Sequence, residues 1–382
     1  MKFAASLFCC ALACAEVFAQ SEPSLMDRIF KLGNKENLNI SLNMHGSYDA
    51  PFGYESESMD ESAFKMQQLR LDIKGKINDR LSYRWRQRLN RPNNGAGSID
   101  NVSSSIDYAM IRLQMSKRWA IALGRQCALT GGVEYDKNPI DVIEFSDMTN
   151  YITAFMTGVH LSYQLSPNHL LNFQVLDGRN GTFEDKYGLN LEKSKLPMNV
   201  LLNWNGAFFD GLYTTNWAVS FTSQAKGEGM SYVALGNKLK FSDKLDLYID
   251  LMRSYEELDD KGIMTDLLGR QNGHNLRNVL YQSAVARVNF RFLPRWNFFL
   301  KGMFETAEVA KADGLIEKGK YRTSYGYLGG LEYYPLPESN LRFYAAFVGR
   351  SYRFTQRAMM RGASDYDTQR VQAGFIYQLP VF

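Results

Sequence analysis

The chain closes on a strand in which apolar and polar positions alternate: Arg370-Val371-Gln372-Ala373-Gly374-Phe375-Ile376-Tyr377-Gln378-Leu379-Pro380-Val381-Phe382. Val371, Ala373, Phe375, Tyr377 and Leu379 share one face, and Arg370, Gln372, Gly374 and Gln378 share the other. A two-faced strand that finishes on an aromatic residue suits the closing strand of a transmembrane β-barrel, which shows lipid one face and the lumen the other. The same alternation returns after tight polar turns, as in Leu81-Ser82-Tyr83-Arg84-Trp85, Trp119-Ala120-Ile121-Ala122-Leu123, Leu245-Asp246-Leu247-Tyr248-Ile249 and Trp296-Asn297-Phe298-Phe299-Leu300. Each repeat places a large apolar residue just above a turn, at the height of an interfacial girdle.

Between these strands the connections alternate in length. Short turns fall at 78–80, 116–118, 166–168, 207–211, 242–244, 293–295 and 335–340, where Pro, Gly, Asn or Asp lets the chain reverse. Longer polar stretches lie near 50–62, 91–103, 127–151, 178–196, 223–230, 254–277, 306–321 and 353–369. Seven short and eight long connections require sixteen antiparallel strands, with both termini on the short-turn side. The expected fold is therefore an all-β, 16-stranded transmembrane barrel over residues 38–382, with short periplasmic turns and long outer loops. Alternation alone also fits a large soluble β-protein; loop asymmetry and an export segment argue for the membrane.

That export segment reads from Lys2 through the apolar run Phe3 to Ala15 to a small-x-small site at Val17-Phe18-Ala19, so residues 1–19 form a signal peptide and Gln20 begins the mature chain. Lipidation at Cys14 is disfavoured because no leucine stands three residues before it. Residues 20–37 are read as a short periplasmic segment with a helix capped by Ser24. Three of the four cysteines lie in the signal, leaving Cys127 alone and excluding a disulfide framework. No cofactor or metal is expected. Mean hydropathy is −0.32 and 22% of residues are charged, with no second run of about 20 apolar residues of the kind a membrane helix needs.

Face assignment then supplies the chemistry. On the second strand, Leu69, Leu71 and Ile73 face lipid, sending Gln68, Arg70, Asp72, Lys74 and Lys76 inward; on the third, Leu81, Tyr83, Trp85 and Leu89 send Arg84, Arg86 and Arg88 inward. Such a column cannot face hydrocarbon, where an arginine near the midplane costs about 2–4 kcal/mol. The same phase places Arg112, Arg287, Arg291, Lys301, Arg342, Arg350 and Arg370 inside, against the inward acids Asp72, Asp246, Asp250, Glu305 and Glu332. The net charge of +4 hides this bias because many acids lie in loops. Guanidinium rows can replace the hydration of a phosphate or carboxylate with paired hydrogen bonds and pass an anion from one site to the next. They can equally brace the wall by pairing with acids on neighbouring strands, as Asp72 would do for Arg70 and Arg84.

The third long connection is too long for a plain hairpin and mixes apolar with acidic residues. Folded inward, it would set Glu134, Asp136, Asp141, Glu144 or Asp147 across a constriction from the arginine wall; otherwise it packs on the rim.

Leu81 to Asn90, Ala122-Leu123-Gly124-Arg125-Gln126, Asn172 to Gly178 and the terminal Val371 to Phe382 resemble segments of the phosphate-selective porin O and P family. The resemblance implies a sixteen-stranded outer-membrane barrel, often a homotrimer embedded in outer-membrane lipid, through which phosphate, polyphosphate or other small anionic solutes diffuse passively. Members carry an inner arginine ladder, matched here by type and face at Arg84, Arg86 and Arg88, and an outer lysine ladder with no lysine-rich counterpart in this chain. A general non-selective porin and an adhesin or receptor barrel stay as alternatives. An enzyme is disfavoured: His45 and His160 fall in lumen phase, His169 sits at a turn and His274 in a loop, and no GxSxG, HExxH or Walker sequence is present. Residues 20–37 are too few for a plug domain, and no exposed basic patch points to nucleic acid.

Overall fold

The computed structural model describes residues 38–51, 62–91, 102–179, 181–336 and 338–381. The signal peptide at 1–19, the helix expected within 20–37, most of the first two long loops and Phe382 lie outside the described residues. Sixteen strands build the molecule: β1 Leu38–Pro51, β2 Ala63–Lys76, β3 Leu81–Arg88, β4 Ile106–Gln114, β5 Trp119–Cys127, β6 Phe155–Ser166, β7 His169–Asp177, β8 Met198–Phe208, β9 Tyr213–Ala225, β10 Glu228–Lys240, β11 Leu245–Leu258, β12 Arg277–Leu293, β13 Trp296–Val309, β14 Gly319–Tyr333, β15 Arg342–Phe354 and β16 Tyr366–Pro380. Each pairs antiparallel with its sequence neighbours, and β1 also pairs with β16, so the sheet closes on itself. Closure leaves no strand edge unpaired, which a hydrocarbon environment demands. The closing register sets Leu42 opposite Leu379 and Ala50 opposite Val371, with the final strand's alternation intact.

Alternation along each strand separates the two faces. On β3 the side chains of Ser82, Arg84 and Arg86 are buried while Trp85 is exposed; on β4 and β5, Ile111, Leu113, Trp119 and Leu123 are exposed while Arg112, Ala120 and Ala122 are buried. The exposed apolar set is the lipid face. Near the short-turn end, aromatic neighbours pair across strands, with ring centroids 4.4 Å apart for Trp119–Tyr163 and 4.8 Å for Trp296–Tyr333. These rings form one interfacial girdle.

One connection departs from the expected pattern. The polar stretch at 223–230 is not a long loop: β9 and β10 continue to Ala225 and Glu228, and only Lys226 and Gly227 join them. Gly227 takes a φ of 79°, the left-handed conformation that such a tight reversal uses. Polar residues here alternate as strand residues, with Thr222 and Gln224 buried.

The 128–154 connection, L3, carries two short helices, α1 Val133–Asp136 and α2 Asp147–Asn150, and a 3-10 turn at Pro139–Asp141. It enters the barrel along β9 and β10. At that point a Cβ added to Gly131 would lie 2.9 Å from the Ala218 nitrogen, so the loop backbone lies flush on the wall.

Candidate pore lumen and third loop

The inward face of β2, β3 and β4 carries a cluster of four arginines and two aspartates. Arg84 grips Asp72 with both Nε and a terminal nitrogen, at 3.0 and 2.8 Å. Arg70, Arg86 and Arg88 all converge on the fully buried Asp107, with nitrogen–oxygen distances of 2.9, 3.0 and 3.0 Å. Among the described residues, four guanidiniums thus share two carboxylates, leaving two positive charges over. The wall also holds its arginines by stacking: the Arg84 guanidinium lies 4.0 Å from the Tyr108 ring centre, and Arg86 sits between Tyr108 and Phe155 at 4.7 and 5.3 Å. Arg70, Arg84 and Arg86 are consequently almost covered, and Arg88 is the most open of the four, its side chain 16% exposed.

Asp107 was not assigned inward from the alternation, and the structure shows why. The register between β3 and β4 slips where Arg86 opposes Tyr108 and Gln87 opposes Ile106. That bulge leaves Asp107 as the extra residue and turns it to the same side as Tyr108, a re-aiming that a period-two count cannot see. Arg70 therefore pairs with Asp107, while Asp72 serves Arg84.

L3 does cross the lumen, but its acids do not face this arginine cluster. They bind β13 to β16, and the loop backbone is held by β11 and β13. Asp250 of β11 accepts the backbone N–H groups of Val133 and Glu134 at 2.7 and 2.8 Å, and Glu305 of β13 accepts those of Asp147 and Met148 at 2.9 and 3.0 Å, capping α2. Glu134 pairs with Lys301, Asp141 with Arg342, Glu144 with Arg370, and Asp147 with both Arg322 and Arg350. The Lys301 ammonium also donates to the Glu144 carbonyl at 2.6 Å, and Asn138 donates to Asn43 of β1 at 2.9 Å. Burial works against the Glu134 carboxylate, yet the Lys301 ammonium and the Ser146 hydroxyl hold its pKa below the usual value. Asp136 ends α1 half-buried, beside Lys137, whose ammonium lies 5.0 Å from the Tyr248 ring centre.

The other basic candidates are spread around the barrel. Lys74 is half-buried and lies opposite Arg84 across β2 and β3. Arg112 donates to Ser162 at 3.2 Å and Arg287 to Asn289 at 2.9 Å; among the described residues neither has a carboxylate at ion-pair distance. Arg291 is exposed near the short-turn end of β12, over the Tyr334 ring at 4.6 Å. Arg342 and Arg350 belong to the L3 clamp, as do Lys301, Arg370 and Arg322, the last of which sequence reasoning did not single out.

The histidines take up contacts within the wall, at a turn and in a loop. His160 Nε2 lies 3.1 Å from the Ser162 hydroxyl and 2.9 Å from Asn172 Oδ1. Both contacts use the same ring nitrogen, whereas a serine-activating histidine needs its second nitrogen on the orienting group. His45 meets the Tyr344 hydroxyl at 2.6 Å, His169 stacks on Trp204, and His274 contacts the Asn275 carbonyl.

A closed sixteen-stranded antiparallel barrel with an apolar outer band, a charged lumen and an inserted third loop defines an outer-membrane porin channel. Residues 38–379 match the phosphate-selective porin O and P family, and the chain belongs to it. It is an integral outer-membrane protein. No curated protein sequence matches it. Among solved structures it is similar to the outer-membrane channel DcaP of Acinetobacter baumannii, at 12% identity and a TM-score of 0.62 over 91% of this chain and 99% of that one. It is also similar to OmpT of Vibrio cholerae, at 9% identity and a TM-score of 0.56 over 91% and 99%, and to Salmonella typhi OmpF, at 13% identity and 0.55 over 91% and 99%. At these identities the likeness shows the fold alone.

Proposed function

We propose that the protein is a passive diffusion porin with a preference for small anionic solutes, phosphate or polyphosphate among them, and that it works as a homotrimer, without catalysis. The observation that carries the preference is the β2–β4 cluster, where four guanidiniums share two carboxylates and the excess charge borders the lumen. Excess fixed positive charge in a narrow, low-dielectric passage raises the local concentration of anions and lowers that of cations. Passage runs between this wall and L3, with the loop's acids cancelled on its far side by Lys301, Arg322, Arg342, Arg350 and Arg370. Support for a trimer comes from the fold's likeness to OmpT of Vibrio cholerae, which was solved in a trimer form.

The test is the reversal potential of the purified protein in a planar bilayer under a salt gradient, repeated with phosphate in place of chloride. Anion selectivity is expected, with phosphate carrying current or blocking chloride. A second reading, a general porin whose arginines only brace the wall, is favoured by the low exposure of Arg70, Arg84 and Arg86. Zero or cation selectivity would establish that reading instead.

A further inference from the structure

A cleft in the lumen lies where L3 approaches β1, β2 and β15, and none of the four clustered arginines lines it. It encloses about 250 Å³, just under the roughly 300–1,000 Å³ of sites that take drug-sized ligands. Its wall side is His45, Gln67 and Gln68; its loop side includes Phe145, Asn150 and Tyr151, and Tyr352 closes one flank.

The charges at this cleft are already spent. Glu144 is held by Arg370 at 2.6 Å, and Asp147 by Arg322 and Arg350. Three neutral groups are left over among the described residues. His45 is 1% exposed, yet its Nδ1 has no hydrogen-bond partner among them while its Nε2 meets Tyr344. The Gln68 carbonyl oxygen accepts from Arg70 at 3.0 and 2.8 Å, which fixes the amide and leaves its nitrogen as an oriented donor. Asn150, on the last turn of α2, is exposed, and its side chain makes no hydrogen bond among the described residues. A buried ring nitrogen without a partner is unfavourable unless something fills the position. Fixed amides beside aromatic rings, with every nearby carboxylate neutralised, match a ligand that has many hydroxyls and no charge.

We infer that this cleft is a binding site for an uncharged hydroxylated solute of about monosaccharide size, taken up between His45, Gln68, Asn150 and the ring of Tyr151 on its way through the channel. The site does not depend on the anion preference, because it contributes no net charge to the passage.

The experiment is single-channel conductance in potassium chloride as glucose is added to both sides, compared with glycerol solutions of equal viscosity. Glucose should lower the conductance along a saturating curve beyond the viscosity effect. Asn150→Ala and His45→Phe should each raise the half-saturating concentration about fivefold, the share of one net hydrogen bond, with the reversal potential unchanged. Asn150 is exposed on the loop, so its variant keeps the test open if His45→Phe fails to assemble. Superimposable glucose and glycerol curves, or a saturating curve that neither variant moves, would overturn the assignment. A reversal potential of zero with saturating glucose binding would count against the anion reading alone.

Discussion

The two charged walls of this barrel use the same residue types for opposite ends. On β2–β4, four arginines crowd around Asp72 and Asp107, and among the described residues the charge does not cancel. On β13–β16, Lys301, Arg322, Arg342, Arg350 and Arg370 meet Glu134, Asp141, Glu144 and Asp147 of L3 together with Glu305 and Glu332 of the wall, five cations against six carboxylates. The first wall keeps a field and the second spends its charge on fastening a loop. An inward arginine is therefore no sign of anion passage by itself; what matters is whether its neighbours leave charge over.

Breaking the clamp should have the largest effect. Glu134→Ala strips the partner from Lys301, whose side chain is 1% exposed, and removing one member of a buried pair costs about 3–5 kcal/mol. A lower unfolding temperature in detergent and a larger, noisier single-channel conductance are expected, since α1 loses one of its two anchors and keeps only Asp250. Unaltered conductance would mean that L3 does not limit the passage.

Sharpening the excess on the other wall should move selectivity instead. Asp107→Asn leaves Arg70, Arg86 and Arg88 without their shared carboxylate. One unit charge at about 8 Å in water is worth roughly 0.5 kcal/mol, or about twofold in the partition of each ion and in opposite directions for anions and cations, so the anion-to-cation permeability ratio should rise about fourfold. The reversal potential in a potassium chloride gradient reads it directly.

A third contrast is in pH. Because the Glu134 carboxyl is held below its ordinary value of 4.5, the stabilisation that it lends is complete above that value and is lost only as pH falls through the depressed one. The Glu134 contribution, read as the difference in conductance between the unaltered protein and Glu134→Ala, should be constant from pH 7 to pH 5 and shrink only below the ordinary carboxylate range. A transition near pH 6 would show that another group controls the loop.

Much of this architecture could be read along the chain, because a barrel wall repeats one local rule. Phase alone placed Arg84, Arg86, Lys301 and Arg350 inside, and the last strand announced closure. The sequence pattern stopped short where that rule breaks or where partners are distant. Asp107 escaped because a bulge reverses its phase. Residues 223–230 read as a loop because their polar residues continue a strand whose outer end leaves the apolar band. The pairing of Glu134 with Lys301 joins residues far apart in the chain through a loop whose path periodicity does not encode. The length of L3 signalled an insertion, and the wall it rests on became visible only in three dimensions.

The claim that unbalanced charge on β2–β4 sets selectivity is tested most directly by the reversal potential of Arg88→Gln beside the unaltered protein. Arg88 is the most open member of the cluster, and Asp107 keeps Arg70 and Arg86 in its absence. The account predicts anion selectivity in the unaltered protein and a shift of the permeability ratio of about fourfold toward cations in the variant, with assembly intact. Identical reversal potentials in the two proteins would contradict it and reduce the cluster to a brace.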